Sequence, residues 1–216
     1  MKISARTPFV AASLAALICL TAVGCGGGHD SPQAAFDAMK AAADKKDWKG
    51  LCQCMTPDSR DAMAGGMVVA GTVMKATGVF AMMGGGEKAE ETKAALERID
   101  EVLKKHGVDE DALEKVRETM RGSEPKDPGN NFAVLKEFAA LIEDKPTFIG
   151  DMFVALEEMN PGESPMSFRN ATLRDVKIDG DTATGTNART VKGTKKNEPI
   201  NFKKIDGGWL VDIPVG

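Results

Sequence analysis

From Ser31 onward, apolar residues recur every three or four positions, the spacing of one face of a helix. Ser31 suits an N-cap and Pro32 a first helical residue; Ala35, Phe36, Met39 and Ala43 then fall on one stripe, which predicts a helix ending near Lys46. A second helix is predicted from Asp47, with Trp48, Leu51, Cys52 and Met55 on one face and Cys54 off it. Thr56-Pro57 repeats the cap-plus-proline signal and starts a third.

The third segment, residues 58–83, is mostly Ala, Gly, Met and Val and has hardly any polar face. Two readings follow from an all-round apolar helix: burial inside the protein, or insertion into a membrane or a partner. Lys75 near its middle opposes a membrane span, because a central lysine costs about 3 kcal/mol on insertion scales. In the buried reading Gly65, Gly66, Gly71 and Gly78 allow close packing.

Residues 87–106 carry Ala89, Thr92, Leu96, Ile99 and Leu103 at alternating spacings of three and four, with Asp100/Lys104 and Glu101/Lys105 placed to pair four apart. Gly107 ends that helix, Asp109 caps the next, and Val108 can staple onto Leu113. Two more helical patterns follow the polar stretch 122–131: Phe132, Leu135, Phe138 and Ile142, then Ile149, Met152, Phe153 and Leu156. After residues 160–165 the period changes to two. Val176 and Ile178 lead into Asp179-Gly180, TATGTNARTV reads as a strand, and Ile200 and Phe202 lead into Asp206-Gly207-Gly208. Trp209, Val211 and Ile213 alternate in the last strand. Asp-Gly pairs mark tight hairpins. The expectation is an α+β fold: N-terminal helices plus a helical insertion, about 62–160, packed on a C-terminal antiparallel β-meander of about four strands, about 167–214.

The N-terminus changes the picture of where this domain works. Lys2 and Arg6 precede an acid-free apolar run, residues 9–23, which is the layout of a signal peptide and too short for a comfortable span. Ala22-Val23-Gly24 before Cys25 resembles the lipobox of bacterial lipoproteins, with Ala22 where that family usually has Leu. The resemblance implies acylation of Cys25, loss of residues 1–24 and anchoring in a cell-envelope membrane, facing the periplasm or the exterior. Residues 25–30 would form a lipidated cysteine and glycine-rich tether to a single domain, 31–216.

Removing residues 1–24 takes Lys2 and Arg6 from the 28 basic residues and nothing from the 32 acidic ones, leaving 26 against 32 and a net charge of −6. That balance gives no footprint for nucleic acid. Of the four cysteines, Cys19 leaves with the signal and Cys25 goes to the lipid. Cys52 and Cys54, one residue apart, are badly placed to bridge each other in a helix and fall short of a zinc signature.

SPQAAFDAMKAAADKKDW followed by TPDSR at the front, and VKIDGDTATGT with INFKKIDGGWLVDIP at the back, resemble the nuclear transport factor 2-like, cystatin-like α+β superfamily and its small bacterial lipoproteins. The resemblance implies helices laid on the concave face of a curved sheet, often with a pocket at one end. It implies no activity, since such folds host enzymes, binders and structural domains alike.

Isomerases and dehydratases of that superfamily place Asp, His or Tyr in the pocket, but Tyr is absent here and the histidines are two. His29 falls in the tether, and His106 falls in a last helical turn, where an imidazole can serve the free carbonyls. Asp109/Asp111 and Glu157/Glu158 lack calcium-loop spacing and read as solvated helix positions. Asp212 reads as sheet-surface charge, with a pocket base as the sharper alternative. Cys52 reads as core and Cys54 as an exposed or edge thiol, with metal or redox work as the alternative. Trp48 and Trp209 read as core between helix and sheet, or else as stacking surfaces for a ligand. Arg189, Lys192, Lys195, Lys196, Lys203 and Lys204 stand against Glu198 alone, which fits a lysine-protected strand edge or contact with anionic lipid or polymer.

The resulting expectation is a lipid-anchored, non-catalytic envelope protein, without cofactor or metal, that binds a partner protein or a small apolar ligand. Trp48, Trp209, Lys195 and Lys196 are its candidate contacts. The alternatives are a pocket enzyme of isomerase or hydrolase type using a carboxylate, and a structural accessory subunit.

Overall fold

The computed structural model describes residues 28–82, 87–122, 128–159, 168, 170–191 and 194–213. The signal segment, Cys25, Gly26, Gly27, residues 84–86, the 160–165 stretch and Lys192 lie outside them. The described elements are α1 (Pro32–Asp44), α2 (Trp48–Gln53), α3 (Pro57–Met82), α4 (Glu87–Lys105), α5 (Glu110–Gly122), α6 (Pro128–Ala139) and α7 (Lys145–Met159), then β1 (Thr172–Asp179), β2 (Thr182–Val191), β3 (Thr194–Ile205) and β4 (Gly208–Asp212). The strands form one antiparallel sheet in the order β1-β2-β3-β4. This is the α+β arrangement, helices first and meander last, that the change of period predicts.

Caps fix the helix starts. The Ser31 hydroxyl accepts from Ala34 N at 3.1 Å, the Asp47 carboxylate from Gly50 N at 2.9 Å, and the Thr56 hydroxyl from Ser59 N at 3.2 Å. Asp109 accepts from Ala112 N at 2.9 Å, and Gly107 closes α4 with a φ of +83°. The β3–β4 hairpin turns through Asp206 and Gly207, both at positive φ (51° and 85°), the conformation for which Asp-Gly is favoured. The β1–β2 turn is displaced from the expected Asp179-Gly180. Asp179 still pairs with Thr182, so Gly180 and Asp181 are the central residues.

The helices form one hydrophobic core with the inner face of the sheet. α1 lies across it through Phe36 and Met39, against Ala183, Ile200, Phe202 and Val211. Trp48 on α2 stacks on Phe153 of α7, the ring centroids 4.6 Å apart. α3 sits among α4, α5, α6, α7 and β4, which cover most of its apolar surface and leave Ala70, Val73 and Ala76 facing outward, Val73 at 40% exposure. Ala64, Val68 and Thr72 are fully enclosed, and Thr72 spends its hydroxyl on the Val68 carbonyl at 2.8 Å. Lys75 is neutralised by Asp100, which also takes Lys104 at 2.6 Å, and by Glu110 at 3.5 Å. Burial alone would raise the Asp100 carboxyl, but hydrogen bonds from Lys104 and Lys75 outweigh it and hold the group below the usual range. No helix among the described residues is long and apolar enough to cross a membrane.

Several local expectations change. Lys105 pairs with Asp151 at 2.7 Å and Glu101 with Arg98 at 3.3 Å, so the expected Glu101/Lys105 pair gives way to partners outside that spacing. The glycines of α3 are not equivalent: a Cβ on Gly65 would sit 2.0 Å from the Leu135 carbonyl oxygen of α6, whereas one on Gly66 would meet nothing within 4 Å. The tether is shorter than residues 25–30, because His29 exchanges backbone hydrogen bonds with Trp209 at 2.9 and 2.7 Å. Gly28 lies so close to Gly208 that a Cβ on either would overlap the other's backbone.

Adjacent glycines therefore give opposite outcomes. Gly65→Ala is expected to lower unfolding stability by about 2 kcal/mol by forcing α3 from α6. Gly66→Ala should leave it unchanged or raise it by up to about 1 kcal/mol through helix propensity. Urea unfolding of the two variants measures both.

Candidate functional site

The strand alternation sends Ala183, Gly185, Asn187 and Arg189 of β2 to the same face as Ile200 and Phe202 of β3. At the end of this face away from the β3–β4 turn, α1 does not cover the sheet completely. A cleft of about 230 Å³ remains, walled by Met39, Phe168, Ile200, Val211 and Ile213 with Asn187, Arg189, Glu198 and Asp212 as its polar groups.

Asn187 is 6% exposed, yet its Oδ1 has no hydrogen-bond partner. The Arg189 guanidinium gives Nη2 to both oxygens of Glu198 at 3.0 and 2.8 Å, while its Nε is buried without a partner. Among the described residues three buried side-chain polar atoms are unpaired, the third being Arg60 Nε, so two of the three meet at this cleft. A buried group left without a hydrogen bond costs about 1–3 kcal/mol. Both atoms are enclosed behind the cleft wall, so they lower stability without facing the cleft space.

Asp212 belongs to a structural junction as well as to the cleft wall. Its Oδ1 accepts from the Thr56 hydroxyl at 2.8 Å and the Ser59 hydroxyl at 3.4 Å, and Ser59 Oγ in turn accepts from Ile213 N at 2.8 Å. The expectation of sheet-surface charge is corrected: this half-buried carboxylate ties the end of β4 to the start of α3.

Two other cavities among the described residues have their charged groups paired. The groove between α4 and α7, about 250 Å³, includes Arg98, Glu101, Lys105 and Asp151, all ion-paired. The hollow between α3 and α5, about 310 Å³, has Arg117 held by Glu110 and Glu114.

Trp48 and Trp209, at 7% and 5% exposure, are core residues, and neither lines the cleft. The register divides the basic residues. Lys195 and Lys203 alternate to the outer face, Lys196 and Lys204 to the inner one, and Lys203 and Lys204 stand at the opposite end of β3 from Lys195 and Lys196. They make no single patch, and Arg189 is bound to Glu198.

Cys54 is buried, correcting the exposed-thiol expectation; its Sγ donates to the Gly50 carbonyl at 3.3 Å. Burial pushes the Cys52 thiol up to about 12, and burial with the nearby Asp47 charge pushes Cys54 to about 11, so both stay protonated near neutrality and are weak nucleophiles and metal ligands. No group of three or more His, Cys, Asp or Glu among the described residues is placed to hold a metal ion. His106 does not serve the α4 carbonyls: its Nε2 lies 2.7 Å from Asp151 Oδ2, with the ring edge-on to Phe148. Burial would raise Asp151, but hydrogen bonds from His106 and Lys105 outweigh it and lower its carboxyl. Glu157 pairs with Lys46 at 2.6 Å and Glu158 with Arg98 at 3.0 Å, as helix-surface charges do.

The sequence carried one usable signal for this site: Asn187 occupies an inward position of a central strand, where an apolar residue is the norm. Comparison with protein-family models, with curated proteins and with solved structures returns no match.

Two outcomes follow. Asn187→Leu is expected to raise unfolding stability by about 1 kcal/mol in urea, by removing an unpaired buried acceptor. A lowered carboxylate contributes stability above the unfolded value of about 3.9, and that contribution disappears as pH falls through the lowered folded value. The stability gap between the parent protein and Asp151→Asn should therefore narrow steadily in urea titrations from about pH 5 to about pH 2.

Proposed function

We propose that this chain is a lipid-anchored, non-catalytic bacterial envelope protein of the nuclear transport factor 2-like kind, and that its sheet–helix cleft binds a small ligand with an apolar body. The observation that carries the binding reading is the cleft of about 230 Å³ that α1 leaves over the sheet, apolar at Met39, Phe168, Ile200, Val211 and Ile213 with a few polar groups at Asn187, Arg189, Glu198 and Asp212. Support for the family comes from α1 laid across the inner face of a four-stranded meander with the cleft at one end. The anchor rests on residues 1–25 alone.

The anchor and the fold together imply an orientation. From Cys25 to Gly28 the chain reaches at most about 11 Å, so the lipid would hold the Gly28–Gly208 end of the sheet against the bilayer. The β2–β3 hairpin, with Lys195 and Lys196, begins about 30 Å further along the strands. Those lysines then suit a solubilised strand end better than contact with the anchoring membrane.

The enzyme reading draws on one observation, the carboxylate of Asp212 among the residues that line the cleft. Its engagement by Thr56 and Ser59 makes it part of the fold's own junction and weighs against it as a reacting base.

Cys25→Ser is expected to move the protein from the membrane fraction to the soluble one and to remove the acyl mass from the intact chain. Unchanged membrane association and unchanged mass would exclude the lipid anchor.

A further inference from the structure

We propose that the open edge of β1 is an interface between two copies of this chain, paired antiparallel about a two-fold axis through Ile178. This goes beyond the ligand reading of the cleft and does not depend on it.

The sheet has two edges and treats them differently. β4 is closed by His29 and Met55, whereas no described strand lies beyond β1. A bulge between Arg174 and Lys177, with Asp175 at a φ of +53°, breaks up the first part of the β1 edge, a device that hinders strand pairing there. Residues 177–179 keep a regular register, and Ile178 at their centre is 60% exposed, more than any other large apolar side chain described.

Hydrogen-bond alternation fixes which way this segment points. The Asp181 carbonyl accepts from Lys204 N of β3 at 2.7 Å, so the N–H and C=O of the next residue, Thr182, turn the other way, to Asp179 of β1. Ile178, adjacent to Asp179, therefore turns its own N–H and C=O out to the open edge. Two copies can exchange both bonds there, each Ile178 N–H donating to the other's C=O, with the Cα atoms about 5.5 Å apart.

Charge selects a second copy as the occupant. With Ile178 facing itself, Lys177 of each copy stands directly opposite Asp179 of the other, so the register makes that opposite-charge pair twice. Both side chains are exposed, and neither makes an ion pair within the described chain. Placing Lys177 or Asp179 on the axis would instead set like charges against each other. Because the contact is isologous and the β4 edge is closed, association stops at two.

The experiment uses the purified full chain in detergent. Ile178→Cys puts one thiol of each copy at the axis, where the Cα separation falls in the range a disulfide accepts, about 4.4–6.8 Å. Thr184→Cys, exposed on β2 away from the edge, is the control, and the native Cys52 and Cys54 are buried. Under mild oxidation, non-reducing gels should show Ile178→Cys forming a dimer at least tenfold faster than Thr184→Cys. Adding Lys177→Asp or Asp179→Lys to Ile178→Cys should each slow that dimer at least tenfold, and adding both should restore it. Thermal unfolding checks each variant. If a charge variant does not fold, slowing of the Ile178→Cys dimer between about 0.05 M and about 1 M salt takes its place, because exposed pairs are screened. Dimer formation no faster than the control, or indifferent to charge reversal and salt, would overturn the proposal. So would oxidation of Ile178→Cys in intact cells that yields a disulfide to a protein of another mass, which would put a different partner's strand on this edge.

Discussion

Closure of the β4 edge is the constraint on which the rest of the structure depends. β4 pairs with β3 on one side, and an unpaired edge would expose a row of donors and acceptors. Two short segments close the other side: His29 pairs antiparallel with Trp209, and Met55 pairs parallel with Val211. Val211 N donates to the Cys54 carbonyl at 2.8 Å and Thr56 N to the Val211 carbonyl at 2.9 Å. The chain between these clamps is α1 and α2, so both ends of the helical pair are fixed to one strand. α1 consequently lies across the sheet, and the cleft is the space it leaves.

The same junction launches α3. Thr56 caps the helix, Pro57 occupies its first position, and Thr56 and Ser59 share Asp212 with the end of β4. α3 has hardly any polar face, and α4 to α7 together with the end of β4 cover most of it, leaving a narrow strip at Ala70, Val73 and Ala76 exposed. Close approach of α6 is possible at Gly65 because a side chain there would overlap backbone. Lys75, the charge that spoils this segment as a span, is met by acids from α4 and α5.

The cleft is where local rules of polar satisfaction fail. Ion pairs, caps and ladders satisfy nearly every buried polar group described, whereas Asn187 Oδ1 and Arg189 Nε are enclosed without a partner. Groups that lower stability without a compensating contact are expected where a binding surface is prepared in advance. The thiols of Cys52 and Cys54 show the opposite case: burial makes them inert, and they serve as apolar packing.

Much of the fold was legible in the sequence because its signals are local. Ser31-Pro32, Thr56-Pro57, Asp109 and Gly107 are caps that act within one turn, and the change from period 3.6 to period 2 separates helices from strands wherever they later pack. The extent of TATGTNARTV as a strand followed from those patterns alone. Positions whose role depends on a distant partner were not legible. Cys54 is off the α2 stripe, yet the neighbouring Val211 backbone places it inside; His106 turns from its own helix to Asp151, 45 residues away. Asp212 finds Thr56 and Ser59 more than 150 residues earlier. The sequence by itself determined which segments are helix and which are strand, because capping and alternation are short-range. Only the tertiary structure decided which polar groups were paired and which were left without a partner, because that depends on residues far apart in the chain.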